Sequence, residues 1–143
     1  MKYNYLFKIV YINENHNILT IDLPKEIRIV STFLQSDVQS DGHWFLEVID
    51  KVLRGKEMYQ EFGGNICILQ IKPDKTIILD SLADDGIGDS CKIETIELKE
   101  LSDVWEKEVK KQFSVNSGIY RVDSQIESVA DQFGYRFLSP LIP

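Results

Sequence analysis

The stretch "NICILQIKPDKTIILDS" (Asn65–Ser81) decides the fold. Two apolar runs rich in β-branched residues, 65–71 and 76–81, flank the four residues "KPDK". Pro73 presets the backbone of the second turn residue and Asp74 suits the third, so the two runs should fold back on each other as a tight hairpin. The centre of the chain is therefore predicted to be an antiparallel sheet.

Segments on either side of this hairpin have the alternation or the β-branched composition of further strands. The predicted strands are Tyr3–Ile12, Ile18–Leu23, Ile27–Ser31 and Cys91–Leu98, with a turn at Asn13–Asn17. The stretch "TFLQSDVQS" (Thr32–Ser40) fits either an extension of the third strand or a short helix. These segments and the central hairpin supply the strands of the predicted sheet.

Two longer segments, His43–Arg54 and Lys99–Phe113, have the apolar spacing of helices that bury one face. Asp41 is expected to cap the first helix, and Gly55 is expected to end it in the left-handed conformation. In the second helix, acids precede lysines along the segment, as the helix dipole favours. The apolar stripes are Phe45, Val48, Ile49, Val52 and Leu53 in the first helix, and Leu101, Val104, Trp105, Val109 and Phe113 in the second.

The order of these elements predicts an α+β fold. Helices do not alternate one for one with strands, so a mostly antiparallel sheet with two or three helices packed against it is favoured over a parallel doubly wound sheet. Residues 1–113 are expected to form this single domain. Residues 114–143 are expected to add a linker, a short helix opened by the capping box Ser124–Glu127, and an apolar tail docked on the domain.

The negative charge of the chain is concentrated in one third of the sequence. The chain carries 23 acids against 16 Lys and Arg, a formal net charge of −7. The segment between Asp74 and Glu106 holds ten of the acids and three of the bases, which accounts for the whole excess. Direct binding of nucleic acid is disfavoured, because phosphates need neutralising cations. A basic protein would instead be attracted and steered.

Four aspartates of this segment fall in "DSLADDGIGD" (Asp80–Asp89). An EF-hand starting at Asp80 would need an oxygen ligand where Leu82 stands and a glycine where Asp85 stands, so no calcium loop of that type is predicted. Carboxylate pairs serve metal-dependent hydrolases, but such sites draw acids from several elements and add basic groups. A small hydrolase is the weakest alternative, and we predict no catalytic residue, no metal ligand and no cofactor. A solvated turn and a partner-binding loop both stay open.

The remaining reactive and aromatic residues have structural interpretations. Cys67 and Cys91 lie inside strand-like runs and are predicted to be buried thiols, because no CxxC pair or completed zinc pattern accompanies them. His43 is expected at the surface or as a capping residue. The aromatic row of the first strand is expected to pack under a helix rather than to stack on bases, because few cations frame it. That row is Tyr3, Tyr5, Phe7 and Tyr11.

The start of the chain, "MKYNYLFKIVYINEN", does not read as a signal peptide, since Asn4 and Lys8 interrupt its apolar run and no small-residue cleavage site follows. Its apolar runs are too short to span a bilayer. The expected location is the cytoplasm, without membrane attachment.

A resemblance adds to this interpretation. A helix that ends near a glycine is followed by "YQEFGGNICILQIKPDKTI", then by an acidic segment and a Trp-bearing helix. This arrangement, from about Ser31 to Phe113, resembles immunity proteins of bacterial contact-dependent growth inhibition and related polymorphic toxin systems. The residues that carry the resemblance are Tyr59, Glu61, Phe62, Gly64, Asn65, Leu69, Ile71, Asp74 and Ile77.

The resemblance implies a small cytoplasmic protein that binds and neutralises the C-terminal domain of one cognate toxin, often a nuclease, without an active site of its own. Nuclease domains are basic because they bind phosphate backbones, and an acidic inhibitor gains fast association from complementary charge. The expected contact set is Asp80, Asp84, Asp85, Asp89 and Glu94. The alternative is a regulatory or adaptor subunit that binds its partner through the apolar tail, Ser139–Pro143.

Overall fold

The computed structural model describes residues 1–14, 16–81 and 90–115. The strands are β1 (Leu6–Asn13), β2 (His16–Asp22), β3 (Gln60–Gly63), β4 (Cys67–Ile71), β5 (Lys75–Asp80) and β6 (Ser90–Glu94). The helices are α1 (Arg28–Phe33), α2 (His43–Leu53) and α3 (Thr95–Val115). β1 and β2 form a two-stranded antiparallel sheet, and β3 to β6 form a four-stranded antiparallel sheet in chain order. The predicted α+β class is confirmed.

One face of the four-stranded sheet carries the core. The predicted hairpin is present, and β4 buries every second residue, Cys67, Leu69 and Ile71. α1 and α3 both contact β5 and β6, and α3 also contacts α2. The helices therefore form a layer on the buried face, as the apolar stripes of α2 and α3 predicted. No helix within the described ranges is long and apolar enough to cross a bilayer.

The third predicted strand, Ile27–Ser31, is wrong. Lys25–Ile27 form a 3-10 turn, Arg28–Phe33 form α1, and Leu34–Val38 continue as a π-helical turn, which settles the ambiguous stretch as helical. The buried positions Val30, Phe33, Leu34 and Val38 have helical spacing. The β-branched residues suggested a strand, but burial of this stripe against β5 and β6 overrides their weak local preference.

The predicted strand Cys91–Leu98 is half wrong, because α3 begins at Thr95 and not at Lys99. The backbone N–H of Thr95 donates to the carbonyl of Asp74 at 3.0 Å. Its hydroxyl donates to the carbonyl of Lys72 and lies 2.9 Å from the hydroxyl of Thr76. The β4–β5 turn thus satisfies the first polar groups of the helix, and this long-range contact leaves no trace in the local sequence.

The ends of α2 were predicted with mixed success. Gly55 has a φ of +78° after the last turn, so the left-handed end is confirmed. The predicted cap at Asp41 is wrong, because Gly42 is the N-cap and makes no side-chain hydrogen bond.

Both predicted buried thiols are confirmed: Cys67 and Cys91 are free and buried. Desolvation raises the pKa of the Cys67 thiol to about 12 and that of Cys91 to about 11.

Asp37, on the π-helical turn, fastens the β3–β4 connection to the helical layer. Its two carboxylate oxygens accept the backbone N–H groups of Ile66 at 2.9 Å and Cys67 at 2.8 Å. The side-chain amide of Asn65 donates to the carbonyl of Ser36 at 3.3 Å. A Cβ at Gly64 would lie 2.5 Å from Asp37 Cγ, so a side chain does not fit there. Gly64 and Asn65, two of the residues that carry the resemblance, therefore have structural roles.

A second link joins the helices. Gln39, which follows the π-helical turn, has a φ of +58° and is buried. Its carbonyl accepts the indole N–H of Trp105 at 2.7 Å. Its side-chain amide donates to the carbonyl of Ser36 at 2.8 Å. These hydrogen bonds hold Gln39 in a backbone conformation that residues other than glycine rarely adopt.

Candidate partner-binding surface

The predicted contact residues begin at the end of β5. Asp80 is the last residue of β5, is half-buried, and lies opposite Cys67 of β4. The loop that follows carries Asp84, Asp85 and Asp89, which lie outside the described residues. Ser90 then begins β6 beside Leu79. The structure therefore places the two anchor points of the acidic loop next to each other, at one end of the β5–β6 pair.

Glu94 lies at the other end of the same strand pair, opposite Lys75. Residues 75 and 80 are five strand positions apart, which corresponds to about 17 Å. The Glu94 carboxylate accepts hydrogen bonds from the Lys2 ammonium at 2.8 Å and from the Tyr3 hydroxyl at 2.9 Å. The hydrogen bond from Lys2 is the main cause that lowers the pKa of Glu94 to about 2. Glu94 and Asp80 are thus not brought together, and Glu94 ties down the N-terminal segment.

The acids of α3 are also engaged within the chain. The Lys99 ammonium lies 2.9 Å from the Asp103 carboxylate, and the Lys110 ammonium lies 3.2 Å from the Glu106 carboxylate. One carboxylate oxygen of Glu97 accepts the backbone N–H of Lys2 at 2.7 Å. Among the described residues, the acids of this segment therefore divide between the end of β5, the end of β6 and a helix whose charges are partly neutralised.

A cleft of about 400 Å³ adjoins the base of the acidic loop. It lies between the helical segment 25–32 and the facing ends of β5 and β6. Its charged lining residues have both signs: Lys25, Glu26 and Arg28 from the helical side, and Asp80 from the sheet. Cys91 also lines it, but the raised pKa keeps that thiol protonated at neutral pH, which makes it a poor nucleophile. The described residues hold no group of three or more His, Cys, Asp or Glu able to bind a metal ion.

Sequence reasoning missed the exposed aromatic and Met side chains beside β3. Trp44 of α2 leaves 38% of its surface exposed while its ring packs edge-on against Phe62, with centroids 5.4 Å apart. Met58 and Tyr59, just before β3, are also exposed. The available signal was that Trp44 falls outside the apolar stripe of its own helix. Exposed Trp, Tyr and Met side chains are the types enriched in protein interfaces.

The aromatic row of β1 also differs in part from expectation. Phe7 packs against Trp105 of α3, with ring centroids 6.3 Å apart, so packing under a helix is confirmed for this residue. Tyr5 and Tyr11 are exposed, and Tyr11 is among the most exposed large apolar residues of the described chain. The half of β1 beyond Phe7 therefore presents apolar surface to solvent.

Comparison with known proteins places these features in a family. The chain is 47% identical over 114 residues to a Bacillus cereus protein named "Immunity protein", and the match covers 78% of this chain and 94% of that protein. The chain belongs to the immunity proteins. No protein-family model matches the chain, and no solved structure matches it. The predicted membership of the immunity proteins is confirmed.

Proposed function

We propose that this immunity protein binds and neutralises one cognate toxin domain, a basic nuclease of a contact-dependent growth inhibition or related polymorphic toxin system. The family membership is the observation that carries the proposal. The concentration of the chain's net charge of −7 between Asp74 and Glu106 supports the basic partner. A nuclease toxin acts on nucleic acid in the cytoplasm, so the inhibitor is proposed to work there, by covering the cleft of the toxin or blocking its substrate path.

The contact is proposed to centre on the loop from Asp80 to Asp89 rather than on Glu94. Glu94 already binds Lys2 and Tyr3, and a toxin would have to displace these donors before using its carboxylate. The segment that carries Asp84, Asp85 and Asp89 connects the end of β5 to the start of β6, and these two strand ends lie side by side. In this proposal Glu94 holds the fold, and the loop meets the basic partner.

Charge alone does not give tight binding, since exposed ion pairs contribute little free energy and act mainly on the association rate. Slow dissociation needs buried aromatic anchors. Trp44 and Tyr59 are proposed as such anchors, because they are exposed aromatic side chains beside β3 in the described chain. The loop would then set how fast the complex forms, and the aromatic surface would set how long it lasts.

Association kinetics test the electrostatic part. A candidate toxin domain is mixed with wild type, with a loop variant (Asp84→Asn, Asp85→Asn, Asp89→Asn), and with a control variant of equal charge change (Glu14→Gln, Asp22→Asn, Asp74→Asn). The three control acids are exposed. We expect the loop variant to associate about tenfold more slowly at low salt and to lose most of its salt dependence, and the control to resemble wild type. Equal rates for the two variants would contradict a loop-centred contact.

Growth protection tests the function itself. Cells that express the toxin domain are expected to stop growing, and co-expression of the immunity chain is expected to restore growth. The Trp44→Ala and Tyr59→Ala variants should protect less well while folding normally by circular dichroism. A chain that folds but leaves the toxin fully active would refute neutralisation, whatever the loop variants show.

A further inference from the structure

β1 is an apolar edge strand. In the part of the chain that the structure describes, β1 pairs with β2 alone, so its other edge carries no strand. Six large apolar residues on or next to β1 leave between 36% and 70% of their surface exposed. They are Tyr5, Leu6, Ile9, Val10, Tyr11 and Ile12. By contrast, Leu19 and Ile21 of β2 are buried against the body of the protein.

Such an edge is normally protected, because unpaired N–H and C=O groups beside apolar side chains are a template for another strand. Lys8 is the one charged residue between Leu6 and Ile12. Its ammonium lies 2.6 Å from the Asp22 carboxylate of β2, so the charge is turned toward its own hairpin. A bulge falls between Tyr11 and Asn13 at the hairpin tip and leaves the register from Leu6 to Tyr11 regular. The edge therefore lacks a charge that would repel a partner strand.

We propose that β1 pairs antiparallel with β1 of a second copy of this chain, about a twofold axis at Ile9. In this register Ile9 lies opposite Ile9 of the second copy. Phe7 lies opposite Tyr11 of the second copy, and Lys8 lies opposite Val10 of the second copy. Phe7 and Tyr11 thus form aromatic cross-strand pairs, which are favourable, and each lysine meets an aliphatic residue. No lysine faces a lysine. The strand is self-complementary in the way that a twofold interface requires.

The exposed surface approaches the size of a standard interface. Taking residue areas on the order of 200 Å², the six exposed residues present on the order of 600 Å² of mainly apolar surface, and the backbone edge adds to this. A standard interface buries about 800 Å² per partner. From Leu6 to Asp22 the sequence holds two acids, Glu14 and Asp22, and the Asp22 carboxylate already pairs with Lys8, so few like charges oppose a contact through β1. A second copy is therefore the occupant that the strand fits best.

The register provides a charge test at one position. Val10 is half-exposed and on the opposite face of the strand from Phe7, so a longer side chain there should not disturb the core. In Val10→Lys the new ammonium faces Lys8 of the second copy, twice per dimer. In Val10→Glu the carboxylate faces the same Lys8 and attracts it. The two variants change size to a similar extent and differ in the sign of the pairing.

Sedimentation equilibrium of the full chain without toxin measures the outcome. We expect wild type and Val10→Glu to be dimeric, and Val10→Lys to dissociate with a dimer constant weakened about tenfold or more. Circular dichroism and thermal melts confirm that each variant folds. A wild type that stays monomeric at its highest soluble concentration overturns the proposal, as does equal dimerisation of the two variants. A monomeric wild type whose toxin binding is lost in Val10→Lys would assign β1 to the toxin, and would also overturn it.

Discussion

Gly64→Ala should be strongly destabilising, because the new Cβ would meet the side chain that joins the sheet to the helices. It would lie 2.5 Å from Asp37 Cγ, 2.6 Å from Oδ2 and 2.9 Å from Cβ, closer than real Cβ atoms approach. The backbone N–H of Gly64 donates to the carbonyl of Cys67 at 2.8 Å, so the carboxylate must move. Overpacking costs about 1–3 kcal/mol, and hydrogen bonds to charged groups contribute about 1.5–3 kcal/mol each. A partial loss of the two bonds gives an expected destabilisation of about 2–4 kcal/mol.

Urea unfolding followed by far-UV circular dichroism measures this effect, and the adjacent Gly63→Ala is the matched control. A Cβ at Gly63 would have Ile68 Cγ1 as its nearest contact at 3.9 Å, an ordinary distance, so the control should stay within about 1 kcal/mol of wild type. In an Asp37→Ala background, Gly64→Ala should cost at least about 1 kcal/mol less than in wild type, because the two closest atoms are gone. Equal effects of the two glycine variants, or strict additivity with Asp37→Ala, would refute the steric argument.

Three further predictions follow from single contacts. The Gln39→Val variant should be less stable than Gln39→Gly by at least about 1 kcal/mol, because a β-branched residue resists a φ of +58°. Urea unfolding measures the difference, and equal stabilities of the two variants would argue against backbone strain. The folded-state pKa of Glu94 is about 2, below its ordinary value of 4.5, so the stabilisation by its carboxylate is complete above 4.5 and is lost as the pH falls toward 2. Glu94→Gln should therefore show a shallower loss of stability over that range, and parallel curves for the two proteins would count against the contact with Lys2. Cys67 and Cys91 should react with a thiol reagent at pH 8 only after unfolding, since burial raises both pKa values; fast labelling of the folded chain would contradict their burial.

Much of the fold was predictable because it depends on local signals. The hairpin around Pro73, the alternation in β1 and the stripe of α2 each come from neighbouring residues, and the structure contains all three. The α+β class followed from their order. The errors fall where a distant contact decides: Ile27–Ser31 is helical because the sheet buries its helical stripe, and Thr95 begins α3 because the β4–β5 turn supplies its partners.

The candidate site was less predictable, because charge in a sequence has no position in space. The five acids chosen from the sequence belong to one charged segment, but strand pairing separates Asp80 from Glu94, and Glu94 binds the N-terminal segment. The exposure of the β1 edge gave no clear sequence signal, and the only signal for Trp44 was its position outside the apolar stripe of α2. Apolar residues in a strand predict burial on average, and their exposure here depends on which neighbouring elements happen to cover them.

The sequence by itself determined the class of fold, the central hairpin, the left-handed end of α2 at Gly55, the buried thiols and the kinship with immunity proteins. These are set by residue periodicity, by turn chemistry and by residues shared with a relative. Only the tertiary structure decided that Asp80 and Glu94 lie apart, that Glu94 is already paired, why Gly64 must remain a glycine beside Asp37, and that β1 presents an open apolar edge in the described part of the chain. Such features arise from contacts between residues distant in the chain, and no local pattern encodes which distant groups will meet.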